Sequence, residues 1–446
     1  MKSELPKGLH EVLGVPMVDL VGRAMRGAGI ERPILVIGHG GESMQARLGD
    51  AYEFAWQREQ KGTGHAVLMA AELLKNFKGT VVIAPGDTPL LGEDVIRQLI
   101  VRHEETRAKC TVASSMVEDP TGYGRIVRDH DGIVRGIVEH KDCTPEQREI
   151  NEVNAAVYCF DSETMLALLP ELGCDNAQGE YYLTDLVSML YQQDRSVVGL
   201  VVNDTDLLRG VNDRVQLSQA ENLLRQRVNQ RHMLAGVSIL DPEATYIGLD
   251  VRIGPDTVIE PNTYLVGETV IGANCEIGPN CKIKRSKIGD GCFVYMSHLN
   301  EAVLEDGVKV GPFANIRPGA VLRTQSKVGN FVEIKNAELG QGSAANHLTY
   351  IGDAIVGAKS NIGAGTITCN YDGLSKHRTT IGSDVFIGSN STLVAPVTIE
   401  DGSMVAAGSV VTHNVPADSI AFGRARQEIK EGWVQSWRNK RQSKSE

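Results

Sequence analysis

One histidine of the sequence lies among residues that could bind a phosphorylated sugar. His347 is preceded by two cations, Arg317 and Lys335, and followed by two hydrogen-bonding residues, Tyr350 and Asn361. Cations with Tyr and Asn groups suit the phosphate and hydroxyls of a phosphosugar. An imidazole, with a pKa of about 6.5, suits the removal of a proton from an amine that attacks a thioester. An isolated histidine is more often a surface or packing residue, and the residue types alone leave that alternative open.

A glycine-bearing turn in the first half has the composition of a ligand-binding loop. Residues 57–66 read QREQKGTGHA and lead into an apolar stretch, residues 66–74, that is typical of a helix. Glycine lets a ligand approach the backbone, and a helix N-terminus presents free N–H donors. A glycine that ends one helix before the next begins would give the same pattern, so the turn alone does not decide between the two.

An acidic residue follows an aliphatic run. Residues 81–84 are Val-Val-Ile-Ala, and Asp87 comes shortly after them. Ligands of open α/β sheets bind at the carboxyl ends of the strands, and a carboxylate there can hold Mg²⁺ against a phosphate. A role for Asp87 as a turn residue or helix N-cap fits the sequence equally well.

A repeat of six residues predicts the fold of the part of the chain that contains His347. Aliphatic side chains recur at every sixth position in three ladders, over residues 253–283, 310–334 and 381–411. This step differs from the helical period of about 3.6 and from the alternation of a flat strand. It predicts a hexapeptide β-helix, in which the chain turns a corner after each short strand. Residues 369–380 interrupt the ladders and are expected to loop out, as functional insertions do.

The first half has the pattern of an α/β domain. Aliphatic runs at residues 34–37 and 81–84 alternate with helix-like stretches at 66–74 and 94–103. Buried parallel strands alternating with helices are therefore expected. Residues 213–234 are polar and contain neither Gly nor Pro, which predicts a long connecting helix.

These patterns predict the fold class and its boundaries. We expect a Rossmann-like α/β domain over residues 1–212 and a linker helix over residues 213–235. A left-handed parallel β-helix of hexapeptide repeats should occupy residues 236–446, with a basic C-terminal arm that begins near Arg424.

Charge and composition exclude several protein classes. Forty-five basic and 56 acidic residues give a net charge of −11, which argues against binding to nucleic acid or to a membrane surface. The first eleven residues include Lys2, Glu4, Lys7, His10 and Glu11, so no apolar signal segment is expected there. The apolar runs are too short to span a bilayer. The eight cysteines form no C-x-x-C pair. We therefore expect a cytoplasmic protein without a disulfide framework or a zinc site.

Together the motifs resemble those of one enzyme family. Over essentially its whole length the chain is similar to the bacterial bifunctional N-acetylglucosamine-1-phosphate uridyltransferase/glucosamine-1-phosphate acetyltransferases. The resemblance rests on ordered motifs followed by the hexapeptide repeats: LPK (5–7), GTGHA (62–66), GDTP (86–89), DPTGYGRI (119–126), VEHKD (138–142), Asn154 and GVN (210–212). It implies acetyl transfer from acetyl-CoA to glucosamine 1-phosphate. It also implies a second reaction, in which the uridyl group of UTP is transferred to N-acetylglucosamine 1-phosphate. Mg²⁺ would be the cofactor of that reaction, and pyrophosphate would be released.

The resemblance implies roles in a nucleotide site of the first half. Lys7 would contact the nucleotide phosphates, Asp87 and Asn212 would ligate Mg²⁺, and Asn212 would also belong to the nucleotide-sugar ligands. Attack of a sugar phosphate on the α-phosphorus of UTP needs cations and positioning more than a covalent nucleophile. The other implied ligands are Gln57, Gly62 and Thr63 for uracil, and Gly124, Glu139 and Asn154 for the sugar.

For the second half the resemblance implies an acetyltransferase site. His347 would be the general base for the substrate amine, Arg317 and Lys335 would bind the phosphate, and Tyr350 and Asn361 would bind the sugar. Relatives of this kind form homotrimers, so a homotrimer is expected. The residues implied along the acetyl-CoA site are Ala364, Asn370, Tyr371, Ser389, Ala407 and Arg424.

The sequence departs from the family pattern in two places. The family's uridyltransferase domain opens with a strand and a Gly-rich loop similar to LAAGxGTRM, whereas this sequence begins at Met1-Lys2-Ser3, after that loop. A misassigned start codon is the favoured interpretation of this N-terminally truncated domain, and an impaired domain is the other. Pro85 stands where relatives commonly carry Tyr. The missing strand leaves one alternative function, an acetyltransferase with an inactive nucleotidyltransferase half. A second, independent alternative is a sugar nucleotidyltransferase with a non-catalytic β-helix.

Overall fold

The computed structural model describes residues 1–194 and 196–442. They divide into two compact units, Met1–Arg225 and Gln226–Glu446. The division falls within the helix Arg214–Leu234, which occupies the segment expected to be a linker helix. The boundaries at residues 212 and 235 stay a prediction. Among the described residues, each helix is too short or too polar to cross a lipid bilayer.

The first unit alternates helices and strands. Its α-helices are α1 Met17–Gly27, α2 Gly41–Leu48, α3 Thr63–Leu74, α4 Glu93–Thr106, α5 Pro145–Arg148, α6 Ser162–Leu168, α7 Asp185–Gln192 and α8 Arg214–Leu234, the last of which continues into the second unit. Short 3₁₀ turns cover Lys7–Leu9, Gly49–Ala51, His140–Asp142, Leu169–Glu171 and Thr205–Leu208. Its strands are β1 Glu11–Val12, β2 Val15–Pro16, β3 Ile34–Ile37, β4 Glu53–Trp56, β5 Thr80–Ile83, β6 Cys110–Met116, β7 Arg125–Arg128, β8 Val134–Val138, β9 Glu152–Asp161 and β10 Val197–Val201.

The central sheet of this unit is organised around β9. The strand order is β10-β6-β9-β7-β8, and β5 pairs with β9 as well. Alternate residues of β9 enter different cores: Tyr158 and Phe160 pack with α6 and α7, whereas Val157 and Cys159 pack with α1 and α4. Since successive side chains of a strand point to opposite faces, helices cover both faces of the sheet. The α/β class predicted from the sequence is confirmed.

The predicted strand direction was wrong for one aliphatic run. The run at residues 34–37 is β3, and it pairs with β4 in parallel, as expected. The run near residue 81 is β5, which pairs with β9 in the antiparallel direction, Ile83 opposite Tyr158. A continuous apolar run indicates burial on both faces of a sheet, but it carries no information about the direction of the neighbouring strand.

The second unit is a coil of short parallel strands on three faces. The first face contains Ser238–Ile239, Val258–Ile259, Glu276–Ile277, Phe293–Val294, Lys309–Val310, Lys327–Asn330, Ala344–His347, Asn361–Ile362, Phe386–Ile387, Met404–Val405 and Ile420–Ala421. The second face contains Thr245–Ile247, Thr263–Val266, Lys282–Lys284, His298–Asn300, Asn315–Ile316, Glu333–Lys335, Tyr350–Gly352, Ile367–Cys369, Thr392–Val394 and Val410–Val411. The third face contains Arg252–Ile253, Val270–Ile271, Lys287–Ile288, Val303–Leu304, Val321–Leu322, Glu338–Leu339, Ala354–Val356, Thr379–Ile381 and Val397–Ile399.

The hexapeptide ladders form the interior of this coil. Ladder residues such as Ile277, Ile334 and Ile387 are fully buried, and residues at equal positions of successive coils are paired in register, as Ile259 is with Ile277. Ile253, in an early coil, is only half-buried. The architecture agrees with the predicted left-handed β-helix of hexapeptide repeats.

One insertion leaves the coil. The second-face strand ends at Cys369 and the third face resumes at Thr379, as the interruption of the ladder predicts. Within the loop the His377 N–H donates to the Asn370 carbonyl at 2.8 Å, and the Asp372 side chain accepts from His377 Nε2 at 2.7 Å. The insertion is therefore an ordered hairpin. After the last coil, a helix α9 spans Trp433–Gln442.

Candidate active sites

Three predicted residues of the first unit meet at one point. The Lys7 ammonium donates to the carboxylate of Asp87 and, at 2.6 Å, to Oδ1 of Asn212. The segment before α8 is tied to the same place, because the Val211 N–H donates to the Asp87 carbonyl at 2.9 Å. Helix α4 begins at Glu93 with Gly92 as its N-cap, so Asp87 does not cap a helix. Its carboxylate binds a cationic side chain.

The donor chemistry of this cluster fits Mg²⁺. Asp87 supplies a carboxylate and Asn212 an amide oxygen, and the two share contact with one ammonium group. Mg²⁺ prefers oxygen ligands and is commonly held by one or two carboxylates together with substrate phosphates and water. Among the described residues there is no cluster of three or more His, Cys, Asp or Glu side chains that could hold a metal alone. A substrate phosphate would have to complete the coordination.

The glycine turn opens a helix, as predicted. Helix α3 begins at Thr63, and its N-cap Gly62 has a φ of 105°, which favours glycine because a Cβ strains this backbone conformation. Gln57 Nε2 donates to the Gly62 carbonyl at 3.1 Å and lies 3.0 Å from Nδ1 of His65. The Thr63 hydroxyl accepts from the Leu183 N–H at 3.0 Å. The three predicted uracil ligands therefore lie on one turn.

The predicted sugar ligands form a second cluster. The Asn154 N–H donates to the Gly124 carbonyl at 2.9 Å, and a Cβ placed on Gly124 would lie 3.5 Å from Oε2 of Glu139. The Asn154 side chain forms two hydrogen bonds within β9. Its Nδ2 donates to the Tyr158 hydroxyl at 2.7 Å, and its Oδ1 accepts the Ala156 N–H at 3.0 Å. A bulge in β9 gives this arrangement, because the β6–β9 register shifts between Val112 and Ser114.

The pKa of Glu139, the acidic residue of this cluster, is shifted from its ordinary value. Burial raises the pKa of Glu139, and the nearby carboxylates of Asp142 and Asp185 raise it further, while a hydrogen bond from Thr184 at 3.2 Å opposes the shift. A buried carboxyl group close to other carboxylates holds its proton to higher pH than an exposed one.

Sequence reasoning missed the segment that joins the two clusters. The Tyr181 carbonyl accepts the Gly64 N–H at 2.8 Å, and its N–H donates to the Lys61 carbonyl at 2.8 Å. Leu183 donates to Thr63 and Thr184 to Glu139. Residues 181–184 thus connect the turn that carries Thr63 to the cluster that contains Glu139. Thr184-Asp185, the N-cap and first residue of α7, is a helix-start pattern that could have drawn attention to this segment.

In the second unit His347 is exposed. It ends the first-face strand Ala344–His347, and its Nδ1 lies 2.6 Å from Oδ1 of Asn330 on the previous coil. The imidazole is therefore at the surface of the coil, with a polar partner and not among the buried aliphatic side chains. Its placement does not fit the alternative of an inward-packed histidine.

Arg317, Lys335 and Tyr350 lie on adjacent coils of the second face. Arg317 and Lys335 follow the paired ladder residues Ile316 and Ile334, so their Cα atoms are separated by one coil spacing of about 4.8 Å. Tyr350 is on the next coil and lies over Gly352, whose Cβ would be 2.3 Å from the tyrosine hydroxyl. The second predicted sugar-binding side chain, Asn361, is half-buried on the first face and pairs with Ala344 and Phe386.

Two of the nearby charged groups were not predicted. Lys335 lies 3.8 Å from the carboxylate of Asp353, which also accepts from Asn336 at 2.6 Å and from Asn370. Burial opposes ionisation of Asp353, but these hydrogen bonds and the Lys335 charge hold its pKa below the ordinary value. Lys376, on the insertion hairpin, lies beside Lys335, and the contact between the two cations lowers the pKa of Lys376. An anion bound there would relieve this repulsion.

The structure explains why Lys376 was not predicted from the sequence. Lys376 is about forty residues from Lys335 in the sequence, and only the folding of the insertion hairpin back onto the second face brings the two together. Arg317 forms a closer ion pair, with Glu333 at 2.7 Å, than the one that Lys335 forms with Asp353 at 3.8 Å.

Three of the predicted acetyl-CoA residues continue the line of His347. Each is two positions after a paired ladder residue of the first face, so the chain of pairs places Ala364, Ser389 and Ala407 on successive coils after His347. We call the five residues Asn330, His347, Ala364, Ser389 and Ala407 the edge column. Ala364, Ser389 and Ala407, the three members that follow His347, have small side chains.

The remaining predicted acetyl-CoA residues lie elsewhere on the coil. Asn370 is buried and donates to Asp353, so it belongs to the Lys335 cluster. Tyr371 is exposed on the insertion hairpin, where its hydroxyl donates to the Gly373 carbonyl at 2.6 Å. Arg424 follows the last coil, and its Cδ lies 3.8 Å from a Cβ placed on Gly408.

Comparison with known proteins agrees with this division of the chain. The profile of the family described as "Nucleotidyl transferase" matches residues 2–207. Profiles described as "Bacterial transferase hexapeptide (six repeats)" and "Hexapeptide repeat of succinyl-transferase" match residues 250–285 and 378–413.

Several relatives are similar over almost the whole chain, and all are named "Bifunctional protein GlmU". The protein of Pelobacter propionicus is 48% identical over 436 residues, which cover 97% of this chain and 95% of the relative. Those of Streptococcus suis and Staphylococcus haemolyticus are each 46% identical over 434 residues, covering 97% of this chain and 94% and 96% of the relatives. The chain belongs to the GlmU family.

The spans matched by the family profiles can be compared with the positions of the polar residues described above. The Lys7, Asp87 and Asn212 cluster lies within the span matched by the nucleotidyl transferase profile. His347 and Lys335 lie in the part of the chain between the two spans matched by hexapeptide profiles. Each of the two units thus contains a candidate site.

The raised pKa of Glu139 predicts a pH-dependent stability difference. As pH rises above the ordinary glutamate pKa, the unfolded chain releases the Glu139 proton before the folded protein does, so this residue lowers the free energy of unfolding through that window. Glu139→Gln keeps an acceptor for Thr184 without ionising. It should therefore be more stable than the wild type at about pH 7 and should lose this advantage at about pH 4. Urea unfolding at both pH values measures the difference.

The exposed Glu118 provides a control for this experiment. Glu118→Gln should change the free energy of unfolding by similar, small amounts at both pH values. If Glu139→Gln gives the same difference from the wild type at both pH values, the burial of an ionisable Glu139 is not what affects stability.

Proposed function

We propose that the protein is a bifunctional enzyme of UDP-N-acetylglucosamine synthesis. The second unit transfers the acetyl group of acetyl-CoA to glucosamine 1-phosphate. The first unit transfers the uridyl group of UTP to N-acetylglucosamine 1-phosphate and releases pyrophosphate. The observation that carries the proposal is a group of cations in a GlmU protein, Arg317 and Lys335 on the second face and Lys376 on the insertion hairpin, with an exposed histidine, His347, on the coil that follows that of Lys335.

Acetyl transfer requires an amine nucleophile and a place for its proton. We propose that Lys335 and Lys376 bind the sugar phosphate with Arg317, since an anion relieves the repulsion between the two ammonium groups. The amine attacks the thioester carbonyl carbon, and the imidazole of His347 takes the amine proton. The C–S bond then breaks, and the departing CoA thiolate receives that proton from the imidazolium, which gives free CoA and returns the base to its neutral form. The small residues Ala364, Ser389 and Ala407 of the edge column leave room for an extended ligand beside His347.

Substitution of the proposed base tests this assignment. His347→Ala should lower kcat for acetyl transfer by about 10²- to 10⁴-fold, because general-base catalysis is lost. The side chain is exposed and outside the coil interior, so the fold should be retained. Thiol release from acetyl-CoA measures the rate, and uridyl transfer by the same preparation is the control. Near-native kcat for acetyl transfer would rule out His347 as the base.

Uridyl transfer is an in-line displacement on phosphorus. We propose that Asp87 and Asn212 hold Mg²⁺ together with the phosphates of UTP, while Lys7, which lies between them, binds a phosphate oxygen. The bound cation would neutralise charge that develops on the phosphates. The uracil turn, Gln57, Gly62 and Thr63, and the sugar cluster, Gly124, Glu139 and Asn154, are tied through residues 181–184 and would orient the two substrates.

Removal of the proposed metal ligand separates the two activities. Asp87→Ala should abolish measurable uridyl transfer and leave acetyl transfer unchanged, because Asp87 and His347 lie in different units. Pyrophosphate release measures the first activity and thiol release the second. Loss of both would indicate that Asp87 has a structural role. Wild-type protein without uridyl transfer would favour the alternative of an acetyltransferase whose other half is inactive.

We also propose that the protein is a homotrimer through the second unit. Three side chains at equivalent corners of successive coils, Phe313, Phe331 and Leu348, are 49%, 57% and 63% exposed. The two rings stack with centroids 5.2 Å apart. All three residues have positive φ, at 60°, 56° and 51°, a conformation that is unfavourable for bulky side chains. An exposed apolar ridge under backbone strain supports burial against another copy of the chain.

A substitution that relieves the backbone strain at Phe331 tests whether this ridge holds the trimer together. Phe331→Asn suits the positive φ and removes the apolar contact, so each subunit should stay folded while the trimer dissociates. Phe331→Leu keeps both apolar surface and strain and should remain a trimer. Sedimentation equilibrium measures the mass. A wild-type monomer, or an Asn variant that stays trimeric with unchanged affinity, would contradict the role of this ridge.

We also propose a cellular compartment for the protein and residue ranges for its two activities. All eight cysteines are free thiols, and seven of them are buried or half-buried, which supports a reducing compartment such as the cytoplasm. We assign uridyl transfer to residues 1–212, the linker to residues 213–235, and acetyl transfer to residues 236–446.

A further inference from the structure

The imidazole of His347 has one short side-chain partner that the motifs did not suggest. Its Nδ1 lies 2.6 Å from Oδ1 of Asn330. An amide oxygen only accepts hydrogen bonds, so the nitrogen that faces it must carry the proton. The other ring nitrogen, Nε2, then has the free lone pair that a base requires.

The backbone is locally modified to make this contact. Among the first-face strands of the described chain, those of the other coils have two residues, whereas Lys327–Asn330 and Ala344–His347 have four. The additional pairing ends with Asn330 directly opposite His347. On the first face of the described chain, strand pairing therefore extends past the usual corner only between these two coils. This extension fixes the two side chains as cross-strand neighbours, at a separation of about 4.8 Å between coils.

The surroundings of the ring make this contact important for its orientation. The residues beside it along its own strand and corner, Asn346 and Leu348, are uncharged, as are Gly329 and Ala364 on the adjacent coils. An exposed imidazole without a fixed partner rotates freely between orientations, of which only some direct Nε2 to the substrate. Asn330 supplies an acceptor from a strand that is itself held in register.

We propose that Asn330 is a positioning residue for acetyl transfer: its side-chain carbonyl accepts from Nδ1–H of His347 and directs Nε2 to the substrate amine. This inference rests on the acetyl-transfer function proposed above. The amine proton passes to Nε2, and Nδ1–H stays bonded to Asn330, so the imidazolium that forms keeps the same orientation. Its charge is stabilised by the amide dipole and not by a carboxylate.

Two substitutions at position 330 separate orientation from structure. Asn330→Leu has a similar size without an acceptor, and it should lower kcat for acetyl transfer by about 10- to 100-fold with little change in KM for glucosamine 1-phosphate. Asn330→Asp keeps an acceptor and adds a negative charge. It should keep kcat within about threefold at alkaline pH, while the acid limb of its pH–rate profile moves to higher pH, because a carboxylate stabilises the imidazolium.

Three controls keep the test specific. Lys327→Ala alters an exposed side chain at the other end of the same strand and should leave both activities unchanged. Uridyl transfer, which is carried by the first unit, reports whether each variant is intact. His347→Ala reports whether the imidazole is the base at all.

The outcomes distinguish the inference from the function on which it rests. If His347→Ala is inactive but Asn330→Leu retains wild-type kcat, the function stands and the positioning role is wrong. If Asn330→Asp is as slow as Asn330→Leu at every pH, or its acid limb does not move, the carbonyl does not act as the acceptor. If His347→Ala remains active, the proposed acetyl-transfer mechanism fails before position 330 matters.

Discussion

The stacking of aliphatic side chains from coil to coil is the interaction on which the second unit depends. Ile259, Ile277 and Val294 occupy equal positions of successive coils, are fully buried, and are paired in register. Apolar burial of this kind contributes about 25 cal/mol for each Å² removed from water. A shift of register by one residue would turn these side chains outward, so the interior fixes where every residue of each coil must lie.

This constraint has a direct consequence for the chemistry of the surface. Because the interior fixes the register, residues that are a whole coil apart in sequence become neighbours at about 4.8 Å. Arg317 and Lys335 are brought together in this way on the second face, and Asn330 and His347 on the first. The coil itself is rigid and repetitive, and the groups proposed for acetyl transfer lie where it is altered: a lengthened strand pair and the hairpin that carries Lys376.

The first unit positions its polar groups by a different device. Strand β9 pairs with β5, β6 and β7, and a bulge interrupts its pairing with β6 beside Asn154. The Asn154 amide satisfies the backbone N–H of Ala156 that the bulge leaves without a ladder partner. Residues 181–184 then connect the turn before α3 to Glu139. Hydrogen bonds to backbone groups thus hold the proposed ligands where the sheet is irregular.

Sequence by itself determined the periodic parts of this protein. A six-residue step has one simple structural solution, so the β-helix, its buried ladders and the looped-out insertion followed from spacing. Alternation of apolar runs with helical stretches likewise determined the α/β class. The tertiary structure alone decided the antiparallel pairing of β5 with β9 and the approach of Lys376 to Lys335. It also decided the contact of Asn330 with His347. Periodicity reports which side of an element is buried, whereas strand direction, loop return and side-chain partners depend on contacts between distant segments, which no local pattern encodes.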